Sequence, residues 1–568
     1  MKTCLVAVNS SYTHTSLSLL CLKKAAQGFD VCTKEYTIND VCERVADDIY
    51  KTGSDVYAFS CYIWNIEFIK KVCMALKTIN PGCKILLGGA EVSYDAREVL
   101  EKNEFVDFVL CGEGEFSFKS FVSGEKYENI SGLAYRNGEK TVLNPPEVIE
   151  DLSVLPPLYD KEELERLKGK IIYYETSRGC PYNCSFCLSS VSRGVRFFPL
   201  ERVFEDFLLF DMCNVELVKL VDRTFNTDEK RTNEILKFII ENIKTTCFHF
   251  EISAHALKKS TIALLQSAPK GKFQLEIGVQ STNEKTIRAI NRTTNFSKLC
   301  ENVFKLKKNK NMHIHLDLIA ALPYENFKSF KKSFDDVFYL RPDMLQLGFL
   351  KLLKGSSIRE NAKAHNYSYM PYPPYEAVSN DYISYDEILI LKDVCDMVEK
   401  YYNSSSFEKS AEYLLKEEKS AFEFFYKLSK HYALHTAFAA AQSKKKLYDI
   451  FYEYKKNDKR FSSLLLFDFL KNNTGAALPY WAKKNDRYFA KRVSAFIANN
   501  RHLLNDNLKD EKLSYILKYI RIYEFDINVL GGLEKRKTAV LFDYKNKCET
   551  EVFGIKNLED ENEQTNDR

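Results

Sequence analysis

Two series of short apolar runs, each run followed by an amphipathic stretch, occupy the first two-thirds of the chain. In the first series the runs are 5–8, 56–61, 84–87 and 105–110, with helical stretches predicted over 17–26 and 66–79. Strands that are apolar on both faces need helices on both faces. Alternation of this kind therefore predicts a parallel, doubly wound, Rossmann-like sheet. Residues 130–143 read as a hairpin turning at Asn137-Gly138. Asn144-Pro145-Pro146 and Leu155-Pro156-Pro157 break both helix and sheet, so 144–169 reads as a linker. A second series follows, with strands predicted at 171–176, 217–221, 248–253, 273–279, 313–319 and 344–350 and helices at 227–243 and 297–308 among them. Six strands with crossover helices suit a partial (β/α)6 TIM-type barrel, whose site opens at the C-terminal strand edges. Beyond 360 the texture becomes rich in Lys, Glu, Leu and Phe and reads as mostly α-helical, with strands returning over 528–553 about a Gly531-Gly532 turn. The expected division is a Rossmann-like domain 1–143, a linker 144–169, a barrel 170–360, a mostly helical domain 361–555 and a disordered polar tail 556–568.

The chain has 568 residues, 45% of them hydrophobic and 28% charged, which excludes wholesale disorder. Its 82 basic and 78 acidic residues leave a formal charge of +4, so nucleic acid is not expected as a partner. No apolar stretch approaches the roughly 18 residues of a membrane helix, and the N-terminus shows no signal-peptide pattern. A cytoplasmic setting keeps thiols reduced, so the sixteen cysteines are not expected to pair as disulfides. Thirteen are scattered and read as small hydrophobes of the core.

The other three, Cys180, Cys184 and Cys187, form a C-x3-C-x2-C motif directly after the first strand of the second series. Thiolates suit iron–sulfur clusters, and cubane clusters usually take four of them. Three close ligands without an obvious fourth leave one iron open. A structural zinc site would need four protein ligands, and the local sequence supplies no fourth.

The motif and its place strongly resemble the radical S-adenosylmethionine (SAM) superfamily. The resemblance implies a [4Fe-4S] cluster on Cys180, Cys184 and Cys187. It implies that SAM bound at the open iron is cleaved to a 5′-deoxyadenosyl radical, with Phe186 beside the adenine. Downstream, Glu251, Gln280 within Gly278-Val279-Gln280-Ser281, Arg292 and Asp317 keep the order seen in the branch that includes anaerobic coproporphyrinogen dehydrogenases and methylthiotransferases. There the corresponding residues surround the ribose and methionine parts of SAM. An Arg can grip a carboxylate bidentately, and carboxylates can accept from ribose hydroxyls. The usual Gly-Gly-Glu-like turn is replaced by Val221-Asp222-Arg223-Thr224-Phe225, as in the cobalamin-linked branch.

The first domain is similar to cobalamin-binding domains. Ser60 ends one candidate strand, Gly88-Gly89 ends the next, and Glu113-Gly114-Glu115 matches the closing loop. The loop 9–16 lacks the Asp and Gly of the usual D-x-H-x-x-G motif but retains His14. Imidazole is a competent cobalt ligand, and His14 could equally cap or line the first helix. With Tyr62-Ile63-Trp64-Asn65 and 350–356, the pattern resembles an uncharacterised bacterial family joining a B12-binding domain, a radical SAM core and a C-terminal domain of unknown function.

That resemblance implies a cobalamin-dependent radical enzyme, foremost a methyltransferase acting on an unactivated carbon or phosphorus. The electron donor would be a flavodoxin or ferredoxin, and the substrate a small molecule or peptide. Two alternatives stand beside it: radical chemistry of another kind, such as oxidation or cyclisation, with cobalamin a relay or absent; and a non-catalytic cofactor carrier or sensor. No residue is assigned the catalytic step. His249, His255, His313 and His315 read as ordinary hydrogen-bonded strand histidines, and Lys351 and Lys354 as solvated.

Overall fold

The computed structural model describes residues 1–190, 194–436, 438, 440–483 and 489–553; the tail expected at 556–568 lies outside them. The chain divides into two compact units, Met1–Ile388 and Leu389–Arg568.

The first unit contains both predicted sheets. Seven strands form the N-terminal one: β1 Thr3–Asn9, β2 Val31–Thr37, β3 Val56–Ser60, β4 Lys84–Gly88, β5 Phe108–Leu110, β6 Leu133–Asn137 and β7 Lys140–Leu143, in spatial order 2-1-3-4-5-6-7. The first five run parallel, and β6 and β7 close the edge antiparallel. Strands β1 and β3 are buried on both faces, as their near-continuous apolar runs require. The sheet carries a separate apolar core on each face. Strand β2 was not anticipated: Val-Cys-Thr-Lys-Glu-Tyr-Thr mixes polar and apolar residues because it is a half-buried edge strand. The order reverses between β1 and β3, and their C-terminal ends are where a doubly wound sheet opens a crevice.

Residues 144–169, read as a linker, are packed rather than free. They hold a 3-10 turn at Leu152–Val154 and a helix at Lys161–Arg166, and Leu152, Leu158, Tyr159 and Leu164 are buried.

The second sheet has six parallel strands in chain order: β8 Ile172–Tyr174, then β11 Leu217–Leu220, β12 Cys247–Ile252, β13 Phe273–Gln280, β14 His313–Ala320 and β15 Met344–Phe349. A two-stranded hairpin, β9 Ser177–Cys180 with β10 Gly194–Phe197, stands apart from it. Because β8 and β15 do not pair, the barrel is open. Burial alternates strictly along β13, where Phe273, Leu275, Ile277 and Val279 are buried and Gln274, Glu276, Gly278 and Gln280 are only partly so. This period of two brings the polar residues of β12, β13 and β14 onto one face of the sheet.

The second unit holds helices Glu408–Glu417, Ala421–His435, Lys444–Tyr454, Lys459–Asn472 and Phe489–Asn499. An antiparallel sheet of Ile520–Phe525, Thr538–Asp543 and Cys548–Val552 accompanies them. Gly531-Gly532 lies in the connection between the first two of these strands, so the strand region begins earlier than the sequence indicated. Among the described residues, no helix is long and apolar enough to cross a membrane.

Candidate active site

Two cavities open at the C-terminal strand edges of the first unit. The larger, about 620 Å³, belongs to the N-terminal sheet. Asn9 and Ser10 at the end of β1, Ser60 at the end of β3, Gly88 and Gly89 at the end of β4 and Leu110 at the end of β5 all line it. Ser60 and Gly88 face each other across adjacent strands in register. Ser60 Oγ lies 3.0 Å from Ser18 Oγ on the first helix. Gly89 is a true backbone requirement. Its φ is +102°, and an added Cβ would sit 2.6 Å from the Cys61 carbonyl oxygen. Asn65 organises the same rim: its Nδ2 donates to the carbonyls of Val8 and Ser60, both at 3.0 Å, and its Oδ1 accepts from Tyr62 N. Tyr62 and Trp64, which carried a resemblance but no role, stack at 4.4 Å and line the cavity.

All five residues expected around a corrinoid, His14, Ser60, Gly88, Gly89 and Glu113, line this one cavity. Two of them carry other engagements. His14 Nδ1 is 2.5 Å from the Tyr173 hydroxyl on β8. The Glu113 carboxylate pairs with Arg196 at 2.6 Å and accepts from Ile149 N at 2.9 Å. Burial raises the Glu113 carboxyl, but Arg196 and the Ile149 amide pull it down further, to a net position below its ordinary value. These contacts bind the N-terminal sheet to the barrel. Arg178 does the same, bridging Glu115 and Glu175 at 2.5 and 2.6 Å.

The smaller cavity, about 220 Å³, lies at the mouth of the barrel. Cys180, Cys184 and Cys187 line it together with Phe186, Glu251, Gln280, Arg292 and Asp317, so all eight residues singled out there converge although they span 138 positions of chain. Cys180 ends β9; Cys184 is buried, and Arg292 Nη1 approaches its Sγ at 3.6 Å. Burial pushes the Cys184 thiol up, and Arg292 opposes it. Arg292 also donates to Thr294 Oγ1 at 3.0 Å and to the Gly278 carbonyl at 2.5 Å. A Cβ at Gly278 would meet the Gln280 side-chain amide, so the glycine leaves that amide its place in the cavity. Gln280 itself is held at φ +70° on a bulge at the end of β13. A left-handed non-glycine residue of this kind costs about 1–3 kcal/mol and tends to mark functional sites.

The donor set fits the groups that the motif implies. Three thiols face one space, and Gln280 Oε1 is buried with no hydrogen-bond partner among the described residues. Burial raises the carboxyls of Glu251 and Asp317. His255, read as an ordinary strand histidine, also lines this cavity, with Nδ1 3.1 Å from Ser253 Oγ. Beside Asp317 stand His315, at 2.6 Å, and Glu276, which also meets His249 at 2.9 Å and Lys219 at 3.2 Å. The bond to Glu276 supports the reading of His249 as a hydrogen-bonded strand residue, whereas His315 meets Asp317 and Glu276 at ion-pair distance. His313 is exposed. Lys354 is not a free surface lysine: it pairs with Asp95 at 2.7 Å and with buried Glu91 at 3.3 Å.

Family models match the chain in three successive stretches: a B12 binding domain over residues 3–122, the radical SAM superfamily over 174–337, and a protein of unknown function (DUF4080) over 363–542. Among curated proteins, the chain is 27% identical over 332 residues to a 2-(S-pantetheinyl)-carbapenam-3-carboxylate methyltransferase of Streptantibioticus cattleyicolor, covering 54% of this chain and 48% of that protein. It is 27% identical over 314 residues to the cobalamin-dependent radical SAM methyltransferase TokK of Streptomyces tokunonensis, covering 51% and 45%. The chain thus spans about half the length of these curated relatives. Among solved structures, the cobalamin-dependent SAM radical enzyme OxsB with aqua-cobalamin bound aligns with a TM-score of 0.55 at 12% identity, covering 82% of this chain and 80% of that one. The radical SAM methyltransferase TsrM of Kitasatospora setae aligns with 0.54 at 14% identity, covering 64% and 75%. At such identity these likenesses speak for the fold. The three matches follow one another along the chain, so it joins a B12 binding domain, a radical SAM domain and a DUF4080 domain in that order.

Proposed function

We propose that the protein is a cobalamin-dependent radical SAM methyltransferase acting on an unactivated carbon or phosphorus centre. The observation that carries this reading is the adjacency of two cavities of different chemistry within one compact unit, one lined by the three motif cysteines and the other by the strand ends of a B12-binding sheet. When bound, the cluster and SAM supply radical initiation, and cobalamin supplies methyl or electron transfer.

The residues do the rest. Cys180, Cys184 and Cys187 hold the cluster. Phe186, Glu251, Gln280, Arg292 and Asp317 orient SAM, with the free Gln280 Oε1 available as an acceptor. Ser60, Gly88 and Gly89 line the space for the cobalamin tail. His14 faces the same space from its hydrogen bond to Tyr173, and Glu113, tied to Arg196, fixes the closing loop. Arg178 and Arg196 keep the two sheets at a fixed distance, so the reacting centres are aligned before substrate arrives. The division at 143, 169, 360 and 555, a cytoplasmic setting, and a flavodoxin or ferredoxin as electron donor complete the proposal.

The test is anaerobic reconstitution of the full chain with cluster, hydroxocobalamin, SAM and a chemical reductant. Formation of both 5′-deoxyadenosine and S-adenosylhomocysteine is expected. Deoxyadenosine without S-adenosylhomocysteine would overturn methyl transfer in favour of other radical chemistry. Neither product, with both cofactors bound, would leave a carrier or sensor.

A further inference from the structure

One side chain between the cavities is left unused by the cofactor assignments. Arg223 lines both cavities, and no other described residue does. It is exposed. Its backbone carbonyl accepts from Thr224 Oγ1 at 2.7 Å, but its guanidinium makes no hydrogen bond or ion pair with a described residue. The neighbouring cations differ in this respect. Arg178 is held by Glu115 and Glu175, Arg292 by Gly278 and Thr294, and Lys219 by Glu276.

Arg223 stands on a rigid mount just past the C-terminal end of β11. Before it, fully buried Asp222 accepts from Thr176 N at 2.9 Å, Thr176 Oγ1 at 2.6 Å and Ser177 Oγ at 2.5 Å. After it, buried Phe225 stacks on Phe250 at 4.2 Å. The backbone is therefore pinned on both sides while the long side chain is left at the junction. Most carboxylates nearby are already engaged: Glu113 with Arg196, Glu115 and Glu175 with Arg178, Glu276 with His249 and Asp317 with His315. Glu251 shares the cavity but comes no closer than the 4 Å of an ion pair.

We propose that Arg223 binds an anionic group of the substrate, a carboxylate or a phosphoryl, and so seats the substrate between the SAM cavity and the cobalamin cavity. The inference rests on the function proposed above. A guanidinium offers a planar fork of donors that matches both groups bidentately. The SAM carboxylate has Arg292 in its own cavity, and the one anionic group of cobalamin, the phosphodiester, lies on the nucleotide tail assigned above to Ser60, Gly88 and Gly89, which leaves Arg223 for a third molecule.

The experiment uses the holoprotein with cluster and SAM bound and its cobalamin reduced to paramagnetic cob(II)alamin. Two small probes are titrated separately, methylphosphonate followed by phosphorus relaxation and acetate followed by methyl-proton relaxation. Saturable paramagnetic relaxation of at least one probe is expected in the wild type. It should weaken by about tenfold or more in Arg223→Gln and by less in Arg223→Lys, the span expected for a charge-assisted pair. Which probe responds tells phosphoryl from carboxylate. Equal relaxation in Arg223→Gln and wild type, or none in the wild type, would overturn the inference while leaving the cofactor reading intact. Loss of bound SAM or cobalamin in Arg223→Gln would overturn it too, by assigning Arg223 to a cofactor. Failure of the wild type to retain cobalamin would instead defeat the underlying function.

Discussion

The two cavities sit at equivalent places, the C-terminal ends of parallel strands, yet their walls have little in common. The N-terminal one is broad and bounded largely by Leu5, Leu19, Ala58, Leu86, Leu110 and Phe118, with Ser60 at a strand end and with Glu113, Glu115, Glu175 and Arg178, tied up in ion pairs, on the side toward the barrel. The barrel cavity is about a third of its volume and is lined by thiols, carboxylates, Arg292 and Gln280. The contrast follows from topology. A doubly wound sheet is covered on both faces, so its strands are apolar on both and the crevice between them inherits apolar walls. An open barrel covers one face with helices and frees the other for ligands. One cavity is therefore built for volume, where backbone space decides. The other is built for donors, where particular atoms decide.

The sharpest break between them comes from the cysteines. Cys184→Ala should abolish iron binding and its visible absorbance while retained cobalamin stays near the wild-type level. Cobalamin lost in step with iron would mean that the cavities are not separable. The converse is Gly89→Ala. With φ at +102° and a Cβ 2.6 Å from the Cys61 carbonyl, it should cost about 1–3 kcal/mol and lower cobalamin retention with the cluster untouched. Gly88→Ala meets only ordinary contact, 3.5 Å from the Leu110 carbonyl, and should be milder in chemical denaturation; equal damage would contradict a role for backbone space at position 89.

A smaller effect concerns His255. Its alanine variant should keep the cluster and still bind SAM. Loss of iron as complete as in Cys184→Ala would make the centre a four-ligand protein site. The smallest effect is a pH dependence within the barrel. Burial raises the Glu276 carboxyl, but His249, Lys219 and His315 together bring it down from 4.5 to about 2. A lowered carboxyl stabilises the fold above its unfolded value of 4.5, and that contribution fades as pH falls through about 2. The gap in urea midpoint between wild type and Glu276→Gln should thus be widest near neutrality and narrow below about pH 4.5. A gap that stays constant on acidification would contradict an ionic role for Glu276.

Much of this was legible in the residues. Both parallel sheets follow from period and spacing, because apolar strands with crossover helices have few ways to fold. The thirteen residues named for the two cavities do line them: most sit near a strand end or in the loop just beyond, and topology gathers such positions at one edge, while Asp317 lies within β14 and Arg292 follows the helix Glu284–Ala289. Strand β2 escaped because an edge strand need not be apolar. The bond from Glu113 to Arg196 and that from His14 to Tyr173 cross between sheets and have no local signal. His255 and Arg223 enter through the curvature of the barrel, although Arg223 lies in a turn whose departure from the family pattern already marked it.

The central claim is that one chain holds both cofactors, each in its own cavity. The direct measurement is retention: the full chain is purified anaerobically with hydroxocobalamin supplied, passed through gel filtration, and assayed for iron, sulfide and cobalamin per chain. The account predicts one cobalamin together with one four-iron cluster. An intact cluster with no cobalamin retained would contradict it.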